Sequence, residues 1–289
     1  MDHSSAAQKI TEDVMKFAGC VWHVDGVPQN LSAIDYESIA DKAFNDLTKG
    51  KTHAKLLIRL AGQSGSGKTT QLLPAALEMF KTRRVAPIHV AVRVFAPYHP
   101  FYDEIERMDK SRIRENTNEF ALVLLFMTTL RFIRNDYPVI LETNLLDQSF
   151  EEGITTLLLE KGYEFDIHLL AVSKTISDSF IEKRAAHSLC EGGRYVSEKS
   201  SDYFYNSIPV AIEYLRAKCP KAGIVIWSAF DAAPVFVGRV GDDEAMDTLQ
   251  KCRESKAPLR VLEESDLLRG KKDWFIKHYP ESESLDGSF

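Results

Sequence analysis

The chain has 289 residues, is 44% hydrophobic and 27% charged, and carries a formal charge of −6, which is the balance of a folded globular protein with one large core or two small ones. That charge, with no long basic tract, argues against a nucleic-acid partner, whose affinity would come from clustered Lys and Arg. The most apolar stretch, 120–133, is interrupted by Arg131 and is too short to cross a bilayer.

The polar start Met1-Asp2-His3-Ser4-Ser5 lacks a basic region followed by an apolar one, so no secretory signal is expected. Cys20, Cys190, Cys219 and Cys252 show no C-x-x-C pair and no zinc-ligand spacing. Reduced thiols and a cytoplasmic location are the expectation.

Residues 1–34 show little periodicity, with a turn at Gly26-Val27-Pro28, and read as an irregular lead-in. From Asp35, the spacing of Ile39, Ala43, Phe44 and Leu47 predicts a helix that Gly50 stops. The apolar run Leu56-Leu57-Ile58-Arg59-Leu60-Ala61 then reads as a strand feeding Gly62-Gln63-Ser64-Gly65-Ser66-Gly67-Lys68-Thr69, the G-x-x-x-x-G-K-[ST] pattern of a P-loop, with Thr70 just beyond. Gly62, Gly65 and Gly67 let the chain take left-handed dihedrals and turn backbone N–H groups toward an anion. Lys68 supplies a cation to the β- and γ-phosphates, and the Thr69 hydroxyl is placed to ligand Mg²⁺. Pro74 removes a backbone donor from the following helix, which predicts a kink or a short first segment.

Strands and helices alternate after that. Strands are expected at 88–95, 138–142, 165–172 and 223–228, and helices at 117–134, 150–161, 176–189 and 201–218. Strands rich in Val, Ile and Leu between amphipathic helices indicate an α/β, doubly wound, mostly parallel sheet covered on both faces, with the ligand at the C-terminal strand edges. The core is expected to span 35–240. The charged extension 241–289 reads as helical in tendency with a disordered tail.

A phosphoryl-transfer site needs further charge around the transferring group. Glu142 ends the strand at 138–142, where a carboxylate orients a water on Mg²⁺ or the attacking hydroxyl, or else serves as an ion-paired surface residue. Asn144 is either a turn former or a substrate contact. Arg184 lies on the helix at 176–189, and Arg194 follows Gly192-Gly193, a stretch able to hinge a lid near 187–197 over a triphosphate; the other reading of each is a surface arginine in a weak salt bridge. Asp103, beyond His99-Pro100 and beside Glu104, is a candidate general base or a helix-dipole partner.

The order of these pieces resembles the zeta toxin family of bacterial kinases, from about Asp35 to about Ser228. The P-loop carries the resemblance, together with His99-Pro100, Asp103-Glu104, Val139-Ile140-Leu141-Glu142, Ala171-Val172-Ser173-Lys174, Glu182-Lys183-Arg184 and Gly193-Arg194. It implies transfer of the ATP γ-phosphate to a hydroxyl of a UDP-activated amino sugar, typically UDP-N-acetylglucosamine. Lys68 and Thr69 then grip ATP-Mg, Glu142 matches a substrate-site carboxylate, Arg184 and Arg194 match the lid arginines, and Arg93, Thr117 and Asn144 are candidate substrate contacts. It also implies a separate antitoxin protein as a possible partner.

Two positions depart from the family pattern. Arg93 stands where the family has its Asp base, and no Asp occurs anywhere in 87–102; a guanidinium stays protonated and cannot accept a proton. Phe126 stands where the family has a substrate-binding acid. Another carboxylate, a changed acceptor or lost catalysis would each account for this. The competing reading is therefore a nucleotide-binding protein that acts through a partner without turnover.

Overall fold

Runs of branched and large apolar residues, bounded by turns, build the strands. A computed structural model describes residues 34–108, 113–145, 148–188, 196, 198–256 and 263–280, without the side chains of 114–115, 148–149, 184–188 and 199–200, and the backbone of 21–24 and 27–30. Where an irregular lead-in was expected, Val21–Val24 (β1) and Val27–Asn30 (β2) pair as an antiparallel hairpin. Val27 and Pro28 of the turn read at Gly26-Val27-Pro28 thus belong to the second strand.

The main sheet contains Leu56–Ala61 (β3), Ile88–Ala91 (β4), Val139–Glu142 (β5), Glu164–Ala171 (β6), Gly223–Ser228 (β7) and Phe236–Arg239 (β8), in the order β4-β5-β3-β6-β7-β8. Neighbours are parallel except for β8, which runs antiparallel to β7. This is the α/β, doubly wound, mostly parallel sheet that the alternation of elements predicts. The sequence reading missed β8, a four-residue edge strand. Because β3 lies between β5 and β6, the chain leaves it first to one side and later to the other, and the loop after β3 opens at that switch point.

Helices cover both faces. Tyr36–Thr48 (α1) begins at Asp35, whose carboxylate accepts from the Ser38 N–H at 3.1 Å. Leu73–Thr82 (α2), the single turn Val92–Phe95 (α3), Tyr102–Met108 (α4), Ile113–Arg134 (α5), Gln148–Lys161 (α6), Lys174–Ser188 (α7) and Glu198–Lys218 (α8) follow. Asp243–Glu254 (α9) and Glu264–His278 (α10) form the C-terminal extension. On one face Leu57, Val90, Val139 and Leu141 pack with Tyr36, Phe120, Leu124 and Phe132. On the other, Ile58, Leu60, Ile140 and Trp227 lie under Ala76 and Phe80 of α2 and Phe275 of α10. A third cluster joins Ile167, Leu169, Ile224 and Ile226 to Ile208, Ile212 and Leu215 of α8.

The strand expected at 88–95 ends at Ala91. Val92 and Val94 favour a strand by propensity, yet the chain turns helical and buries Phe95 completely in the cluster beneath α5, so packing overrides local preference. Arg93 therefore rides on a helical turn, not on a strand end.

The extension docks through a buried polar chain. Trp227 Nε1 donates to His168 Nδ1 at 3.1 Å, which leaves the His168 proton on Nε2 for Tyr279 Oη at 2.9 Å, and Tyr279 in turn donates to Asp166. The His168 ring stacks on Phe275 with centroids 4.5 Å apart. Burial, with a smaller push from His278, lowers the His168 pKa to about 3, so this imidazole stays neutral.

Candidate active site

The loop after β3 takes the dihedrals its glycines allow: φ is 141° at Gly62, 79° at Gly65 and 102° at Gly67. Space demands glycine too, since a Cβ would come within 2.6 Å of the Leu170 carbonyl at Gly62 and 2.4 Å of the Ser177 carbonyl at Gly65. The back of the loop is pinned to its neighbours. Gln63 Nε2 donates to the Val172 carbonyl at 2.6 Å, and the Ser177 hydroxyl of α7 donates to the Ser64 carbonyl.

Past the loop, Lys68–Leu72 forms a π-helical turn closed by the Leu73 N–H on the Lys68 carbonyl, and Pro74 sits in the first turn of α2. The short first segment expected from Pro74 is thus present. A proline at 74 offers no N–H to the Thr70 carbonyl, and the wider turn accommodates that gap. The Thr70 hydroxyl itself donates to the Gly67 carbonyl at 3.3 Å.

Lys68 is buried and lies across its own loop, with Nζ donating to the Gly62 carbonyl at 2.5 Å, the Gln63 carbonyl at 3.0 Å and Asn144 Oδ1 at 3.1 Å. Asn144 therefore reaches the P-loop lysine directly. Behind it, buried Arg59 of β3 pairs with Glu151 of α6 and donates to the Thr143 hydroxyl at 2.8 Å. This ion pair braces the 142–144 turn from the far side of the sheet.

Glu142 ends β5 in register with Leu60 of β3. One oxygen, Oε1, accepts from the Thr69 hydroxyl; the other, Oε2, accepts from Arg93 Nη2 at 3.1 Å and lies 3.0 Å from His89 Nε2. Burial pushes the Glu142 pKa up, but the bonds from His89 and Thr69 and the charges of Arg93 and Lys68 outweigh it and bring the pKa down to about 2. The group is an anion throughout the neutral range and a poor proton acceptor.

His89 was not singled out from the sequence. Its signal was the alternation of β4: Ala91 is in register with Glu142, so His89, two residues earlier, shares its face of the sheet.

The other candidate residues lie elsewhere. Asp103 is exposed on α4, and none of the hydrogen bonds or ion pairs described for it reaches the Glu142 cluster; its carbonyl accepts from Arg107 of the same helix. Thr117 is buried, its hydroxyl turned onto the Ile113 carbonyl at 2.7 Å. Phe126 stacks at 3.8 Å between centroids on Phe150 of α6. His99 is buried against Phe120 and accepts from the Phe101 N–H at 3.1 Å, with burial lowering its pKa to about 4. Arg184 belongs to α7, with its side chain outside the described residues; Arg194 and nearly all of the lid at 187–197 are outside them as well.

Among the described residues, no helix is long and apolar enough to cross a membrane, and no group of three or more His, Cys, Asp or Glu could hold a metal ion.

The model of the family described as Zeta toxin matches residues 40–239. The chain belongs to the zeta toxin family. Members of the zeta toxin family are kinase-like phosphotransferases. Toxin PezT of Streptococcus pneumoniae serotype 4 is 28% identical over 155 residues, which span 52% of this chain and 58% of PezT. A chain from the PezAT chromosomal toxin-antitoxin system of the same species superimposes with a TM-score of 0.63 at 21% identity, covering 83% of this zeta toxin family member and 96% of that chain. The AvrRxo1-ORF1:AvrRxo1-ORF2 complex with ATP shares the fold at a TM-score of 0.51 and 10% identity, over 96% of this chain and 86% of that one.

Proposed function

We propose that the protein is an ATP-dependent phosphotransferase that moves the γ-phosphate of ATP to a hydroxyl of a UDP-activated amino sugar such as UDP-N-acetylglucosamine. The observation that carries this reading is the convergence of Lys68, Thr69, Glu142 and Asn144 at the ends of two adjacent parallel strands. The catalytic unit on this reading is 35–240, and the cytoplasm is where it works.

The residues present fit ATP-Mg. At Gly62 and Gly65 the loop leaves no room for side chains, and Ser66 Oγ is buried with no hydrogen-bond partner among the described residues. Gly62, Gln63, Ser64, Gly65, Ser66, Gly67 and Thr70 would bind the phosphates, chiefly through backbone N–H groups, and Lys68 would exchange carbonyl partners for phosphate oxygens. Thr69 would ligand Mg²⁺, completed by phosphate oxygens and water as is usual for this ion. Phosphoryl transfer asks mostly for position and charge, and Arg184 and Arg194 would add cations from the lid. Arg93 and Asn144 would meet the acceptor, with Thr117 on the helix beside it.

A second reading, a nucleotide-binding protein that acts through a partner, draws on Arg93 in place of the family's Asp and on Phe126 packed against Phe150. A separate antitoxin protein is compatible with either reading. The deciding experiment incubates the purified protein with ATP-Mg and a panel of UDP-sugars and other nucleotides, and weighs the products by mass spectrometry. A phosphorylated acceptor made by the wild type and not by Lys68→Ala sustains the phosphotransferase; ATP binding by calorimetry with no product from any acceptor replaces it with the second reading.

A further inference from the structure

Of the candidate groups, Arg93 and Glu142 are poor proton acceptors and Asp103 lies elsewhere. Arg93 carries its charge permanently. Glu142 is already an anion held by Thr69, Arg93 and His89. Asp103 is exposed on α4 with no described bond to the cluster. Among the described residues, His89 is the imidazole that touches the Glu142 carboxylate.

An ionised carboxylate only accepts hydrogen bonds, so the 3.0 Å contact to Glu142 Oε2 places the proton of neutral His89 on Nε2. The lone pair is then on Nδ1, which makes no hydrogen bond among the described residues, and the side chain is 25% exposed and reachable from solvent. This arrangement, a ring held in one tautomer by a buried carboxylate with its other nitrogen outward, is the relation of orienting acid to general base in acyl-transfer triads.

We propose that His89 is the general base of the phosphotransferase, oriented by Glu142, in the place of the acid that Arg93 has displaced. The proposal rests on the phosphotransferase reading. In the step, the acceptor O–H proton moves to His89 Nδ1 as the acceptor oxygen bonds to the γ-phosphorus of ATP. The bond from that phosphorus to the β–γ bridging oxygen breaks, and ADP leaves with the electron pair. The imidazolium is stabilised by Glu142, and Arg93, Lys68 and Thr69 are the other charged or polar groups that meet at that carboxylate. Arg93 shares Oε2 with His89, so it steers the acceptor from the same edge.

The test uses the full chain. His89→Gln keeps an amide N–H for Glu142 and removes the base. The expected result is ATP affinity by calorimetry within about twofold of wild type and kcat lower by about 10²-fold. On the wild type alone, ¹⁵N correlation spectra are expected to show the proton of the neutral His89 ring on Nε2. Equal kcat in both proteins, or a ring protonated at Nδ1 alone, would overturn the assignment while leaving the phosphotransferase intact. A wild type that binds ATP and phosphorylates no acceptor overturns the phosphotransferase and this assignment together.

Discussion

His89 and His168 both stand on strands of the same sheet, and each bonds a side chain on a neighbouring element, yet they are built for opposite ends. His168 is fully buried, has both nitrogens engaged by Trp227 and Tyr279, and stacks on Phe275. His89 has one nitrogen on Glu142 and a quarter of its side chain in solvent. The difference lies in what surrounds the ring. An aromatic box with two satisfied nitrogens gives a rigid neutral fastener, whereas an anion on one side and water on the other leave a ring with one nitrogen open to a ligand. Mutations should therefore separate a stability phenotype at His168 from a turnover phenotype around Glu142.

The largest effect is expected at the phosphate cradle. Lys68→Ala should lower kcat/KM by about 10³-fold or more, since it removes a preorganised cation from developing charge; steady-state kinetics with the product-mass readout measures it. Next comes His168→Ala, which should cost about 3 kcal/mol in urea unfolding by opening a cavity and stranding the Trp227 and Tyr279 groups, with ATP affinity unchanged. The same residue sets a pH dependence. Its folded pKa of about 3 lies below the ordinary 6.5, so between those values the unfolded chain binds the extra proton. Stability is complete above 6.5 and declines as pH falls toward 3. His168→Gln should flatten that slope, whereas the contribution of Glu142 is lost lower down, between its ordinary 4.5 and about 2.

Glu142→Gln should lower kcat by about 10²-fold and also lower the unfolding midpoint, because it strips His89, Arg93 and Thr69 of their common partner. A variant that loses stability and keeps kcat would erase the contrast. The smallest effect belongs to Tyr279→Phe, which removes one hydroxyl between His168 and Asp166 and should cost about 1–2 kcal/mol in urea unfolding with unchanged turnover.

These features differ in how far the sequence exposes them. The P-loop is legible because its chemistry is local: three glycines, a lysine and a threonine at fixed offsets after an apolar run. Glu142 was legible from its place at a strand end. Asn144 was readable only as a choice between turn and contact, and its described bond goes to Lys68. His89 was not legible, since a lone His in a short strand says nothing until the β4 to β5 register sets it beside Glu142. Arg59 hid for the same reason, as an arginine inside an apolar run whose partner, Glu151, is 92 positions away. The one-turn helix after Ala91 escaped because its valines favour a strand and only the burial of Phe95 decides otherwise. Local chemistry was visible, and long-range pairing was not.

The π-helical turn at Lys68–Leu72 also bears on how this protein should be lined up with others. One such turn acts like a single inserted residue and rotates everything after it by about 100° around the axis. Matching the oily stripe of α2 to a relative with an unbroken spiral would thus shift Lys68 and Thr69 by one place, so any transfer of residue roles across Leu72 should be anchored on the glycines and counted forward from them.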